Sequence, residues 1–174
     1  MSGRKVLSVG ASAGVAMAAA AAFNAAAFAT SRVCPMDKVS ETNGTTVKPP
    51  FQPPGVAFSV VWPILYTLLG VVFSIYVYAL SNNTAPKGWA IAAMTLFCVQ
   101  LLLNYTWTPV YSCANQPVTA MYILLALTVT VVATMVSSSY VSGTATVLMA
   151  PYVVWLVFAL MLNAQSIPIP PSSQ

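Results

Sequence analysis

The chain has 174 residues, 59% of them hydrophobic and only 5% charged, and its mean hydropathy is +0.82. Soluble domains carry about 25% charged residues. The composition therefore indicates an integral membrane protein, and the lipid bilayer is its first expected partner. The net charge of +4 comes from six basic and two acidic residues, which is too sparse for a nucleic-acid interface. The chain contains no histidine, and Asp37 and Glu41 are its only carboxylate side chains, which excludes acid–base catalysis by a buried carboxylate pair.

Five apolar segments follow one another along the chain. They span residues 6–31, 56–80, 88–111, 117–139 and 145–165. Each is close to or above the length of about 20 residues that an α-helix needs to cross a bilayer. The sequence therefore predicts an all-α membrane protein, a bundle of five transmembrane helices, with residues 56–165 forming helices two to five.

Residues 1–31 are predicted to form the first transmembrane helix. Small residues recur every four positions along it, at Gly10, Gly14, Ala18 and Ala22. Such a line lets another helix approach closely. The alternative is a targeting segment, with Arg4 and Lys5 at its start and an A-x-A site at Ala27-Phe28-Ala29. The apolar run exceeds the about 7–15 residues of a signal-peptide core, which favours a retained helix.

Residues 32–55 form the one long polar loop of the predicted topology. It holds five of the eight charged residues, namely Arg32, Asp37, Lys38, Glu41 and Lys48. A loop of this length is often functional or disordered, so a lid over one end of the bundle and a mobile solvated connector remain equal alternatives. Residues 166–174 are rich in proline and serine and are predicted to form a disordered tail.

The sequence does not indicate on which side of the membrane the N-terminus lies. Five helices put Arg4, Lys5 and Lys87 on one side, and Arg32, Lys38 and Lys48 on the other. Because the two counts are equal, the excess of positive charge expected on the cytoplasmic side gives no answer. Cys34 and Cys113 could meet on one membrane face, but their spacing cannot establish it, and no metal-binding spacing is present.

Polar and aromatic residues recur on one face of each of the last four predicted helices. The stripes are Trp62, Tyr66, Leu69 and Phe73; Gln100, Asn104, Trp107 and Tyr111; Thr119, Tyr122, Ala126 and Thr130; and Tyr152, Trp155, Ala159 and Asn163. One such stripe favours helix packing, whereas four in one bundle favour a pocket for a flat, largely apolar ligand. The predicted ligand-binding residues are Trp62, Tyr66, Gln100, Asn104, Trp107, Tyr122, Trp155 and Ala159.

Three blocks of sequence resemble signatures of the TspO/translocator protein family, which is also called tryptophan-rich sensory protein or peripheral benzodiazepine receptor. The blocks are Lys48–Gly55 with Val60–Tyr66, Leu96–Trp107, and Pro151–Asn163. They occur in the family's order on the second, third and fifth predicted helices. The resemblance covers residues 48–165, and the first helix fits only by its position and hydropathy.

The resemblance implies a five-helix bundle, usually dimeric, with a cavity beneath the first loop that binds porphyrins and, in many members, sterols and benzodiazepine-type drugs. Trp62 and Asn104 match family positions that hydrogen-bond a drug carbonyl. Trp155 matches a cavity tryptophan implicated in light-dependent porphyrin breakdown by bacterial members. Ala159 matches a small residue whose size affects how the ligand fits.

The chain also departs from the family pattern. Residues 40–47 contain no aromatic side chain, so the loop tryptophan that partners Trp155 is missing, and this disfavours porphyrin degradation. Residues 164–168 lack the tyrosine and basic residue of the animal cholesterol motif. High-affinity sterol binding through that motif is therefore not expected.

Taken together, the residues and the resemblance predict a membrane receptor or transporter-like protein that binds a porphyrin or related ligand and requires no cofactor. Without histidine, a porphyrin or haem would be held by stacking rather than by imidazole ligation. A homodimer or a partner membrane protein is expected. The alternatives are an accessory subunit of a larger membrane assembly and a light-dependent porphyrin-degrading enzyme. Family analogy favours the mitochondrial outer membrane, with plastid, secretory and bacterial membranes as alternatives.

Overall fold

The computed structural model describes residues 7–34 and 53–167. This part of the chain forms five helices and no strand: α1 Val9–Val33, α2 Gly55–Asn82, α3 Lys87–Ser112, α4 Pro117–Ser139 and α5 Gly143–Gln165. All five are long and apolar enough to cross a membrane. The predicted all-α, five-helix class is confirmed, and each helix end lies within about three residues of its predicted position.

Local hydrogen bonds and backbone geometry explain where these helices begin and end. The Ser8 hydroxyl accepts a hydrogen bond from the Ala11 N–H at 3.1 Å, and Ser142 caps α5 in the same way through Ala145. α2 ends at Asn83, whose φ of 52° lies in the left-handed region. Asparagine tolerates that region better than most residues with a side chain. The turn between α2 and α3 can therefore be short.

The helices alternate in direction along the bundle. Short connections of residues 83–86, 113–116 and 140–142 make α2 to α5 antiparallel neighbours. At one end, the Leu7 N–H donates to Asn82 Oδ1 at 2.8 Å, and Asn82 Nδ2 donates to the Leu7 carbonyl at 2.9 Å. At the other end, Cys34 and Cys113 form a disulfide. We call this second end, where α1, α3 and α5 end and α2 and α4 begin, the disulfide end.

α1 packs closely against α2 through a glycine. A Cβ atom added to Gly70 would lie 2.6–2.8 Å from atoms of Ala20, so the two backbones meet where Gly70 has no side chain. Further along the same face, the Phe23 ring lies 5.9 Å from that of Phe73.

The line of small residues on α1 faces outward instead. Gly10 and Gly14 have no atom within 4 Å of the position a Cβ would take. Ala18 and Ala22 are exposed as well. Among the described helices the close approach to α1 is made by Ala20 against Gly70, so a close contact of the small-residue line with a helix of another protein stays a prediction.

Two predicted boundaries need correction. Arg32 and Val33 belong to α1, so the polar loop starts later than residue 32. Ser166 is 1% exposed and bonded to Tyr111, which makes it part of the bundle rather than of a disordered tail. The remainder of the loop, residues 35–52, and of the tail, residues 168–174, lie outside the described residues, as do the lid and connector interpretations.

Candidate ligand site

Aromatic rings from α2 and α5 meet in the half of the bundle nearer the disulfide end. The Trp62 ring stacks on Tyr66 one helical turn away, with ring centres 5.5 Å apart. Its other contacts are edge-on, to Trp155 at 6.2 Å and to Tyr152 at 6.4 Å. Stacked and edge-on arrangements at these distances are favourable for aromatic pairs. We call Trp62, Tyr66, Tyr152 and Trp155 the aromatic cluster.

Asn104 of α3 joins the two tyrosines of this cluster. The Tyr66 hydroxyl donates to Asn104 Oδ1, and Asn104 Nδ2 donates to the Tyr152 hydroxyl oxygen at 2.9 Å. All three side chains are buried. Because the membrane interior offers no water to such groups, mutual pairing is their only way to be satisfied. One amide thereby links three helices.

A second set of polar contacts lies closer to the disulfide end. Trp107 Nε1 donates to Asn163 Oδ1 at 3.1 Å, and Asn163 Nδ2 donates to the Pro117 carbonyl at 2.8 Å. The Tyr111 hydroxyl donates to Ser166 Oγ at 2.9 Å. These bonds connect α3 and α5 to each other and to the start of α4, and so support one side of the aromatic cluster.

Tyr105 forms the wall of the site that faces α1. Its ring stacks on Tyr66 with centres 5.8 Å apart, and its hydroxyl donates to the Phe23 carbonyl of α1 at 3.1 Å. Tyr105 thereby links the first helix to the aromatic cluster.

An apolar groove of about 380 Å³ opens between α2 and α5 beside the cluster. The groove is open on the outer side of the bundle, where Ile64 and Val154 are 56% and 70% exposed, and is not enclosed among the helices. Its lining residues are Val61, Ile64, Leu65, Pro151, Val154, Trp155 and Phe158. Trp155 belongs to both the groove and the cluster, so a molecule in the groove would contact an indole ring.

Comparison with known proteins shows the family of this chain. The profile of the TspO/MBR family matches residues 13–167, which is most of the chain. The chain belongs to the TspO/MBR family. As a member with five apolar helices, it is a multi-pass integral membrane protein. The match begins inside α1, so the resemblance extends beyond the three blocks that the sequence alone supported.

Individual relatives of this TspO/MBR protein come from distant organisms. The chain is 30% identical to the tryptophan-rich protein TspO of Chlorobaculum tepidum over 123 residues, which cover 68% of this chain and 73% of that protein. It is 34% identical to the translocator protein of Ovis aries over 116 residues, or 67% of each chain. It is 30% identical to the protein CrtK of Rhodobacter capsulatus over 116 residues, or 67% of this chain and 70% of that protein.

The structure brings four of the eight predicted site residues into the aromatic cluster or its hydrogen bonds. These are Trp62, Tyr66, Asn104 and Trp155. Trp107 lies in the neighbouring polar set, and Ala159 is buried one turn beyond Trp155. Gln100 is fully buried on the same face of α3 as Asn104.

Tyr122 is not in the site of this TspO/MBR protein. It is 64% exposed, because α4 turns Ala120, Leu124 and Leu127 inward instead. The hydroxyl of Thr130, one of the two threonines in the α4 stripe, donates to the Ala126 carbonyl of its own helix at 2.7 Å. A membrane helix can therefore turn threonine outward, and Tyr122, near the start of α4, occupies a position typical of tyrosine at the membrane–water interface.

Sequence reasoning left two contributing residues out of the predicted site. Tyr152 belonged to the α5 stripe, and its position three residues before Trp155 could have identified it. Tyr105 lies next to Asn104 and off the α3 stripe, so helical spacing gave no signal for it. Tyr105 contributes because its hydroxyl bonds to α1, and the spacing of residues within α3 does not show where α1 lies.

Proposed function

We propose that this TspO/MBR protein is a membrane receptor, with transporter-like binding, for a flat and largely apolar ligand, of which a porphyrin or other tetrapyrrole is the leading class. Sterols and benzodiazepine-type drugs, which are also largely apolar ring systems, are further candidate classes. The observation that carries the proposal is the meeting of Trp62, Tyr152 and Trp155 around the buried amide of Asn104.

The chemistry of the cluster suits a conjugated ring system. Indole and phenol rings offer faces and edges for stacking, and the adjoining groove is lined by apolar side chains. Trp155 Nε1 is buried and has no hydrogen-bond partner among the described residues, so it is available to an acceptor on a ligand. The names of two relatives, the translocator protein of Ovis aries and the tryptophan-rich sensory protein of Cereibacter sphaeroides, agree with binding or transport.

Stacking rather than metal ligation supplies the expected affinity. The chain has no histidine, which is the commonest proximal ligand of haem iron. A free-base porphyrin should therefore bind about as well as its iron complex.

The proposal is tested by titrating the purified protein with protoporphyrin and following the absorbance shift of the porphyrin. We expect Trp62→Ala and Trp155→Ala to weaken binding roughly tenfold or more, which corresponds to about 1.4 kcal/mol. Trp89→Ala is the matched control, because Trp89 is 41% exposed and stacks on Tyr140 at the other end of the bundle. Equal affinity in all four proteins would reject this site.

The outward face of α1 favours a second candidate, an accessory subunit of a larger membrane assembly. Gly10 and Gly14 stand open on that face, and small residues of this kind are common where membrane helices pack closely. The mass of the protein extracted in mild detergent distinguishes the two candidates. A particle no larger than a dimer of this chain would contradict the accessory role.

A further inference from the structure

Gln100 differs from the other interior amides of the bundle. Asn104 and Asn163 both use their oxygen and their nitrogen in hydrogen bonds. Gln100 is 0% exposed, yet neither its Oε1 nor its Nε2 has a partner within the part of the chain that the structure describes. Trp155 Nε1 is also unpaired there. Gln100 is the residue that leaves a whole carboxamide, with two donors and an acceptor, unused.

The position of Gln100 relates it to the candidate site. It lies four residues before Asn104 on the buried face of α3, which also carries Phe97 and Trp107. Four residues of helix correspond to about 6 Å along the axis. Gln100 is therefore one turn deeper than Asn104, counted from the disulfide end, and close to the middle of the 26-residue helix.

Packing alone does not explain a glutamine at this depth. A buried amide without partners is costly, and an apolar side chain of similar size would be more stable in the same place. Unpaired buried groups in native proteins call for an explanation of another kind, such as a functional role. Ligand binding supplies one, because the ligand would complete the hydrogen bonds that the helices leave open.

We propose that Gln100 is the polar floor of the site and determines which ligands reach full depth. This inference rests on the proposed function and adds the ligand group that is recognised. Because a carboxamide offers a donor beside an acceptor, its complement is a neutral group that offers the same pair, such as an un-ionised carboxylic acid or a lactam.

The charge of that group follows from the surroundings. The described basic side chains, Arg32 and Lys87, lie in the terminal turns of their helices, so none is close to Gln100 to balance an anion. Ionised groups at the centre of a bilayer are costly without such a partner. A tetrapyrrole would therefore direct one carboxylic side chain toward Gln100 in its protonated form.

The test compares protoporphyrin with its dimethyl ester, which keeps the flat ring and lacks the acid O–H donor. The variants are Gln100→Met, which keeps the volume and removes the amide, and Leu103→Met as a matched control on the same helix. We expect Gln100→Met to raise the unfolding temperature of the protein without added porphyrin by about 2–4 °C. We also expect it to weaken protoporphyrin binding roughly tenfold, and binding of the diester less than about threefold.

Each other outcome is decisive. An unchanged or lower unfolding temperature would mean that Gln100 is already satisfied, and equal loss for the two porphyrins would mean that only shape has changed; either result overturns the assignment. If the wild type binds both porphyrins and Gln100→Met binds them equally well, only the role of Gln100 fails. If the wild type binds neither, the proposed function fails and the role of Gln100 fails with it.

Discussion

Asn104 holds its position through two phenols that come from different helices. Its oxygen accepts from Tyr66 of α2, and its nitrogen donates to Tyr152 of α5. An amide in an apolar segment has to find partners inside the protein, which is why the sequence alone could identify Asn104. The same reasoning failed for Tyr122, because a tyrosine near a helix end can place its hydroxyl at the membrane surface instead.

Removing the amide of Asn104 should lower the free energy of unfolding of the protein as well as disturb the site. Asn104→Leu leaves the buried Tyr66 and Tyr152 hydroxyls without this partner, and each unsatisfied group costs about 1–3 kcal/mol. We expect a lower unfolding temperature, measured by intrinsic fluorescence in detergent. Thr106→Val is the control, because that exposed hydroxyl bonds only to the Leu102 carbonyl of its own helix. Equal stability of the two variants would show that the Asn104 bonds contribute nothing.

At the scale of the element, α1 is the helix whose placement was hardest to predict. Hydropathy and length identified the span, but the line of small residues from Gly10 to Ala22 did not indicate which face of α1 contacts α2, and Gly70 on α2 gave no signal in the sequence. A glycine reveals its contact only once the opposite helix is known. Here the partner is Ala20. That α1 is retained and not cleaved as a targeting segment stays a prediction. The hydrogen bond from the Tyr105 hydroxyl to the Phe23 carbonyl of α1, beside the site, is consistent with a retained helix.

Enlarging Gly70 should separate α1 from α2. In Gly70→Leu the new side chain would collide with the Ala20 backbone, where even a Cβ would lie only 2.6 Å away. Overpacking of this kind costs about 1–3 kcal/mol, so we expect a lower unfolding temperature. Gly14→Leu adds the same side chain to an open face of α1 and should leave stability nearly unchanged. Two variants with equal unfolding temperatures would contradict the close contact.

At the scale of the whole molecule, the number, length and order of the helices follow from apolar runs of sufficient length. The arrangement of helices around one another did not follow, because it depends on contacts between distant residues. Trp107 and Asn163 are 56 positions apart, and Cys34 and Cys113 are 79 apart. No periodicity within a single helix reports such pairs. The sequence left the pairing of these cysteines open for this reason.

Counting free thiols tests whether the disulfide forms. Protein purified without reductant should carry one free thiol, that of the exposed Cys98, and three after reduction, as measured by mass after alkylation. Reduction should also lower the unfolding temperature, because a cross-link over this separation contributes up to about 4 kcal/mol in the chain-entropy account. The Cys98→Ser variant should respond to reduction as the wild type does. Finding three free thiols before reduction would disprove the bond.

The bond between Cys34 and Cys113 also bears on which side of the membrane the disulfide end faces. Such bonds endure where glutathione and thioredoxin do not reach, as in the secretory lumen or outside the cell. The bond therefore predicts that the disulfide end faces a compartment other than the cytosol, and labelling of Cys34 and Cys113 in sealed membranes with a thiol reagent that cannot cross them, before and after reduction, would check this. It is a prediction about the orientation that the equal counts of lysine and arginine on the two sides leave open.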